Sequence, residues 1–555
     1  MTDFKPTSQQ KALLSTEESA LVIAGPGTGK TRTAIEKARF HIPLLKSESH
    51  KVLFLSFSNA AVFRLAEGIK TNLRKIERKR IAFRTYHAFA ADILRSYGRF
   101  VGIPPVFKIM DSLEEKLLLI EENVTQSEAA YTEFLNQKAK HGLLGFDKLI
   151  PLATKLLQYS IELRKLYARN YPLIIVDEFQ DTSPEQWEIL KSFGEHSKVI
   201  TFGDPNQIIY AGMHAATKER LKEFQEWKNV KPMYFSERQF RFGSPEILVF
   251  AEAMLKGTKY TPKENSGVYL WDLEFRTKDK DRLRKMLALI WLDIRKNASD
   301  KETIAFFAFS NALAEEVAVA LRNPPPSAKI SFPVYVRLAR DEAAYDAVLL
   351  SLAALRDYSF SRNEITCKKA AVALMAMNAT WYNRATMSIK NLNLISEHLK
   401  KSLDNGGKLG KCILDLMKSS DLGVNVPCFV EALTEIEGFK SCCKRISAHG
   451  KLEFASYPSQ ETGLPLFDLV RSARTPKGLE GYDAGRGQTH VINYHKTKGR
   501  EFDHVVMIVD PRAESSKIGL DELRRLYYVC ATRAKTLLFV LYYGKEKGRV
   551  LNKVL

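Results

Sequence analysis

The chain has 555 residues, with 84 lysines and arginines against 64 aspartates and glutamates, a formal charge of +20. Its 45% apolar and 27% charged fractions are those of an ordinary globular protein and exclude a disordered polyelectrolyte. The length suggests about three to four domain-sized units, no apolar run approaches the roughly 18 residues of a membrane span, and the excess of positive charge suggests a polyanionic partner such as nucleic acid.

The six cysteines, at 367, 412, 428, 442, 443 and 530, contain no C-x-x-C pair. Neither a disulfide framework nor a zinc site is expected, and a reducing compartment is. The opening MTDFKPTSQQ lacks the basic-then-apolar layout of a secretory signal, so a cytoplasmic protein without membrane contact is the expectation.

In chain order, short apolar runs each pass directly into a polar or glycine-rich segment. Residues 21–24 run into GPGTGKT, 52–55 into SFSNAA, 173–176 into DEFQD and 199–202 into GDPNQ. Ligands of open parallel sheets bind beyond the carboxyl ends of the strands, so four such segments predict one site built by one sheet. Residues 304–309, 505–509 and 537–541 predict strands of a second sheet. Two long, helix-patterned stretches interrupt these blocks. The expected division is a first sheet domain at 1–89 and 171–235 with an insertion at 90–170, and a second at 236–356 and 488–555 with an insertion at 357–487. A loop is expected at the prolines 324–326 and a linker at GYDAGRGQ, 481–488.

Ala24-Gly25-Pro26-Gly27-Thr28-Gly29-Lys30-Thr31 follows a strand and precedes an amphipathic segment, the context of a P-loop. Glycines let backbone N–H groups turn onto phosphate oxygens, Lys30 can reach the β/γ-phosphates, and the Thr31 hydroxyl can ligate Mg²⁺. Asp177 and Glu178 end the next apolar strand. One carboxylate can hold Mg²⁺ while the other orients and deprotonates an attacking water. Gln207 offers an uncharged donor suited to sensing a γ-phosphate.

With these residues in place, the sequence resembles the UvrD/Rep/PcrA group of superfamily 1 helicases, colinearly from Gln9 to about Lys535. Gln9-Gln10-Lys11-Ala12 looks like the family's adenine-reading motif, with Gln9 favoured over Gln10 by its spacing to Lys30. SFSNAA and the segment Arg84-Thr85-Tyr86-His87 resemble single-strand-contacting motifs, VDEFQDTSPEQ the second motif and GDPNQIIY the third. Gln239-Phe240-Arg241 resembles motif four, NYHKTKGREFDHVV motif five and LRRLYYVCATRAK motif six.

The resemblance implies an α/β fold of two RecA-like parallel-sheet motor domains with P-loop NTPase topology, each carrying a mainly helical insertion. It implies ATP and Mg²⁺ as cofactors. Arg32 would flank the adenine and Phe240 stack on it, Arg241 would touch the γ-phosphate, Glu501 hold the ribose, and Arg533 serve as arginine finger. Phe57, Asn59, Tyr86, His87, Tyr210 and His495 would line a DNA track, with residues 495–498 contributing from motif five. The implied activity is ATP-dependent translocation on single-stranded or tailed duplex DNA, 3′ to 5′, with unwinding. At 211–214 the family's Gly-aromatic-Arg-Gly is replaced by Ala-Gly-Met-His, and the second insertion is short. Both features suit an alternative, since compact UvrD-like proteins resemble the helicase subunits of anti-phage systems such as Gabija. There the chain would be an ATP-gated, DNA-sensing subunit that regulates a partner nuclease.

Overall fold

In a computed structural model, the described residues are 4–56, 59–122, 128–209, 219–273, 280–299, 301–322, 336–338, 342–381, 389–405, 407–418, 426–440, 442–443, 489–511, 514, 518–543 and 548–555. The strands among them begin with β1 (Ala20–Ala24), β2 (Val52–Ser56), β3 (Ile81–Thr85), β4 (Lys108–Met110), β5 (Leu143–Gly145), β6 (Leu173–Val176) and β7 (Lys198–Gly203). They continue with β8 (Pro232–Phe235), β9 (Val268–Leu273), β10 (Ile304–Ala308), β11 (Val336–Leu338), β12 (Thr489–Asn493), β13 (Phe502–Val509) and β14 (Ala534–Tyr543).

Two six-stranded sheets result, with orders β3-β2-β6-β7-β1-β8 and β11-β12-β10-β13-β14-β9, and each neighbouring pair is parallel. All-parallel sheets are covered on both faces, which is why β6 and β10 are uninterrupted apolar runs, β2 is one up to its final Ser56, and all three are buried along their whole length. Because β1, β2, β6 and β7 are parallel, the segments after Ala24, Ser56, Val176 and Gly203 emerge at one edge of the first sheet. That edge is where a ligand meets an open α/β sheet. Prolines 324–326 and residues 481–488, expected as loop and linker, lie outside the described residues.

The chain divides into two compact units. The first, Met1–Val101, Asp147–Leu338 and Ala484–Leu555, holds both six-stranded sheets. It also holds the helices Tyr86–Tyr97, Leu149–Tyr159 and Ile161–Asn170, although most of their residues fall in the 90–170 stretch expected as an insertion. Aromatic packing accounts for this placement. The Phe89 ring lies 4.7 Å from Phe193, 5.5 Å from Tyr167 and 5.9 Å from Tyr171, which ties the first and last of these helices to the helix Pro184–Gly194.

The second unit, Gly102–Phe146 and Ala339–Asp483, draws on both helix-patterned stretches. Its core joins the helices Glu342–Ser361, Glu364–Trp381, Ile389–Asn405, Lys408–Lys418 and Val426–Leu433, with Leu117 of the helix Ser112–Glu121 packed against it. Val348, Leu352 and Leu355 are buried in that core, so the helix Glu342–Ser361 belongs here rather than to the second sheet. The short ladder β4-β5 completes this unit. No helix among the described residues is long and apolar enough to cross a membrane.

Phe89 is 1% exposed, and truncating a core aromatic costs about 3–5 kcal/mol. Phe89→Ala should therefore move the urea unfolding midpoint of the first unit down by that equivalent, followed by tryptophan fluorescence. A loss under about 1 kcal/mol would mean that these helices are not anchored through this ring.

Candidate active site

Between β1 and helix α2 (Lys30–His41), Gly27 and Gly29 adopt φ of +77° and +84°, a region that side chains rarely tolerate. Space is also restricted at Gly27. A Cβ there would come within 2.7 Å of Gln239 Oε1 and 2.8 Å of Arg241 Cβ. Thr28 Oγ1 donates to the Gly25 carbonyl at 2.9 Å and is 3% exposed, so it shapes the loop from within. The Thr28 carbonyl accepts from Gln10 Nε2 at 3.1 Å. Gln10 itself is 1% exposed and completes a capping box with Thr7 at the start of helix α1 (Ser8–Ser15). Lys30 Nζ is folded onto the loop, donating to the carbonyls of Ala24 (2.7 Å) and Gly25 (3.0 Å).

Gln9 faces a different neighbour. Its Oε1 accepts from the backbone N–H of Ser236 at 2.7 Å, and the Glu237 carboxylate accepts from the backbone N–H groups of Ser8 and Gln9. The segment after β8 is thereby clipped to α1, and four residues on the Phe240 N–H donates to the Gly27 carbonyl at 2.7 Å. Phe240 remains 47% exposed beside Gly29, with Arg238 over its ring at 5.1 Å.

Beyond β6, Asp177 is buried and Glu178 half-buried, with Glu178 in a left-handed conformation at φ +52°. Gln180 Nε2 donates to Glu178 Oε2 at 2.7 Å, and Gln180 Oε1 accepts from Asp204 N at 3.0 Å. Asp204 Oδ2 in turn accepts from Gln207 Nε2 at 2.8 Å. Burial works to raise the Glu178 carboxyl, but Lys498, Lys30, the Gln180 bond and Arg533 together outweigh it and hold the group at about 2. Burial pushes Asp181 up to about 6, with the Lys498 ammonium acting against it and the Glu178 charge reinforcing it.

The second sheet supplies the opposite charges. Arg533, 2% exposed, donates to Gln207 Oε1 at 3.0 Å and to the Val529 carbonyl at 2.9 Å. Arg241 pairs with Glu501 and donates to the Thr532 carbonyl at 3.2 Å. Lys498 lies 2.5 Å from Asp181 Oδ2 and donates to the Gln207 carbonyl at 2.6 Å. Arg525 Nε reaches the Ile208 carbonyl at 2.9 Å.

Some of these groups line a cleft of about 300 Å³. Gly25, Pro26, Gly27, Gly29, Lys30, Thr31, Arg32, Asp177, Glu178, Gln207, Phe240, Arg241, Glu501 and Arg533 all face it. Gln9 and Thr28, anticipated as nucleotide contacts, are not among its lining residues, whereas Lys535, not singled out from the sequence, is. Arg32 is held by Glu36 at 3.0 Å and lies 5.4 Å from the Phe4 ring. The Thr31 hydroxyl and the Asp177 carboxylate are hard oxygen donors facing one cavity. That donor set fits Mg²⁺, which takes few protein oxygens and completes its shell with phosphate oxygens and water.

The anticipated DNA track is less complete. Phe57 and Tyr210 lie outside the described residues, as do residues 211–214, and Asn59 opens the helix Asn59–Asn72. Tyr86 corrects the sequence expectation. It is 1% exposed, and burial pushes its phenol above the ordinary value, so its ring is part of the core and offers no face to a base. His87 and His495 are half-buried, each lowered by burial, with Asp147 and Glu522 respectively acting the other way. Lys498, anticipated beside the track, instead closes the joint between the sheets. Gln10 and Lys498 had weak signals in sequence, since an amide next to Gln9 and a lysine inside a basic segment do not announce their partners.

Comparison with known proteins points to one family. The family model for the UvrD/REP helicase N-terminal domain matches residues 6–129 and 119–227, and that for the UvrD-like helicase C-terminal domain matches 488–541. The chain is similar to the ATP-dependent DNA helicase PcrA of Leuconostoc citreum, at 23% identity over 99% of this chain and 84% of that protein. It is also similar to probable DNA helicase II homologs of Mycoplasma capricolum (22%, covering 100% and 86%) and Rickettsia conorii (23%, covering 97% and 92%).

Gly27→Ala tests the cradle. A left-handed φ strains any side chain by about 1–2 kcal/mol, and the new methyl would push against Gln239 and Arg241. We expect binding of ATP, by equilibrium fluorescence titration, to fall at least about tenfold while the chain still folds. Unchanged affinity would show that the loop and residues 239–241 move apart freely.

Proposed function

From membership of the UvrD/Rep helicase family, to which this chain belongs, we propose that it is an ATP-dependent DNA helicase that moves along single-stranded DNA, 3′ to 5′, and unwinds tailed duplexes. The observation that carries the reading is that Lys30, Asp177, Glu178 and Gln207 beside the first sheet face one cleft with Arg241, from the segment after β8, and Arg533, from the turn before β14 of the second sheet. A triphosphate in that cleft would be held by the loop amides and Lys30. Thr31 and Asp177 would hold Mg²⁺, which neutralises phosphate charge when bound.

Glu178, kept ionised by its surroundings, accepts a proton from the attacking water, and Gln180 fixes the orientation of its carboxylate. Gln207, Arg241 and Arg533 meet the charge that develops on the γ-phosphoryl oxygens. To do so, Arg533 must exchange its bond to Gln207, and Arg241 its pair with Glu501, for bonds to phosphate. Charge-assisted bonds of that kind draw the two sheets together, and loss of the γ-phosphate returns the arginines to their protein partners. A strand that contacts both sheets is gripped and released once per cycle, and the +20 charge favours its phosphates.

A DNA-sensing subunit that licenses a partner nuclease in anti-phage defence would use the same cycle, and the two readings part at unwinding. Steady-state ATPase with and without single-stranded DNA, joined to unwinding of 3′- and 5′-tailed duplexes by the isolated chain, separates them. Stimulated ATPase with unwinding of the 3′-tailed duplex is expected. Stimulation without unwinding favours the nuclease-linked subunit, and ATPase indifferent to DNA sinks the motor reading. In the same assay Glu178→Gln should keep ATP binding and lose about 10²–10⁴-fold in turnover. Normal turnover would remove Glu178 from the role of base.

A further inference from the structure

Among the described residues, five cationic side chains line the cleft, and four are committed to close protein partners. Lys30 bonds two carbonyls of the loop, Arg32 pairs with Glu36, Arg241 with Glu501, and Arg533 bonds Gln207. The fifth, Lys535, has a side chain 40% exposed, and its ammonium meets the Asp503 carboxylate only at 3.8 Å. Asp503 does not depend on that distant pair. Its Oδ2 accepts from both the N–H and the hydroxyl of Thr303, each at 2.8 Å.

The Lys535 backbone is fixed where its side chain is not. Its carbonyl accepts from Gly243 N at 2.7 Å, and it is the second residue of β14. Arg533 lies two residues earlier, in the turn that leads into β14, and both residues line the cleft. An ammonium left half-exposed on the wall of a cavity suited to a polyphosphate lowers the energy of an anion bound there.

We propose that Lys535 is a nucleotide-binding residue that contacts the α/β part of the polyphosphate from the second sheet, two residues along the chain from the arginine at the γ end. This rests on the ATP-dependent reading given above. Because α- and β-phosphates are common to ATP and ADP, the contact serves both.

The test compares wild type, Lys535→Met, Lys535→Arg and Asp503→Asn by fluorescence titration with Mg-ATP and Mg-ADP, and by DNA-stimulated ATPase. Lys535→Met should weaken ATP and ADP alike by about tenfold and raise the KM for ATP to match, with kcat held within about twofold. Lys535→Arg should recover affinity to within about threefold, and Asp503→Asn should leave both affinities as in wild type. Wild-type affinity in Lys535→Met overturns the proposal. So does equal weakening in Asp503→Asn with a lowered Tm, which would make the pair structural, and so does a loss confined to ATP, which would put the contact at the γ end. If Lys535→Met does not fold, Lys535→Gln takes its place with the same expected losses. A wild type that binds nucleotide without DNA-stimulated turnover would sink the helicase reading, while the titrations still decide Lys535.

Discussion

A buried ion pair joins the ligand-binding edges of the two sheets. Lys498 and Asp181 are 2.5 Å apart with side chains 7% and 2% exposed, and the same ammonium takes the Gln207 carbonyl. Removing two charges from water is expensive, and their attraction offsets it only when the remaining valences are satisfied. Here one Asp181 oxygen, Oδ1, has no hydrogen-bond partner among the described residues. The joint is therefore not built for maximal stability. It holds oppositely charged groups from two sheets in a dry place, where a new anion can redistribute them at little further desolvation.

The rest of the cleft depends on that arrangement. Glu178 stays ionised although burial opposes it, because cations from both sheets stand around it: Lys30 from one, Lys498 and Arg533 from the other. Gln207 is the shared element, bonded by its side chain to Asp204 and Arg533 and by its carbonyl to Lys498. On the proposed reading, a γ-phosphate entering this network would compete with protein acceptors of comparable strength, so that its presence or absence would be converted into which pairs form. Strain is stored at the same spot in the left-handed Glu178, whereas the loop glycines take positive φ without cost, and at Gly27 no room is left for a Cβ beside Gln239 and Arg241.

The second unit follows a different logic. Its helices bury alanine-rich faces, with Ala353, Ala354, Ala370 and Ala371 fully covered, and its core draws residues from segments more than two hundred positions apart. Helical periodicity made those stretches readable as helices, but contains nothing that says which of them share a core. The same limit explains the boundary near residue 90. Helices that look like part of an insertion are held to the sheet unit by the Phe89 aromatic contacts, which are tertiary.

By itself, the sequence determined what local chemistry determines. Strands that are buried on both faces must be continuous apolar runs, so β1, β2, β6, β7, β10 and β13 were legible to within a few residues. The glycine-rich turn between β1 and α2 was legible too, because Gly27 and Gly29 stand where positive φ is required. Tertiary structure alone decided which charges meet. Arg241, Arg533 and Lys498 are separated from their partners by hundreds of residues, and only the packing of one sheet edge against another brings them to Glu501, Gln207 and Asp181. It alone decided that Tyr86 is core rather than contact surface, and that Lys535 faces the cleft, because burial and direction are properties of the folded chain and not of a residue's type.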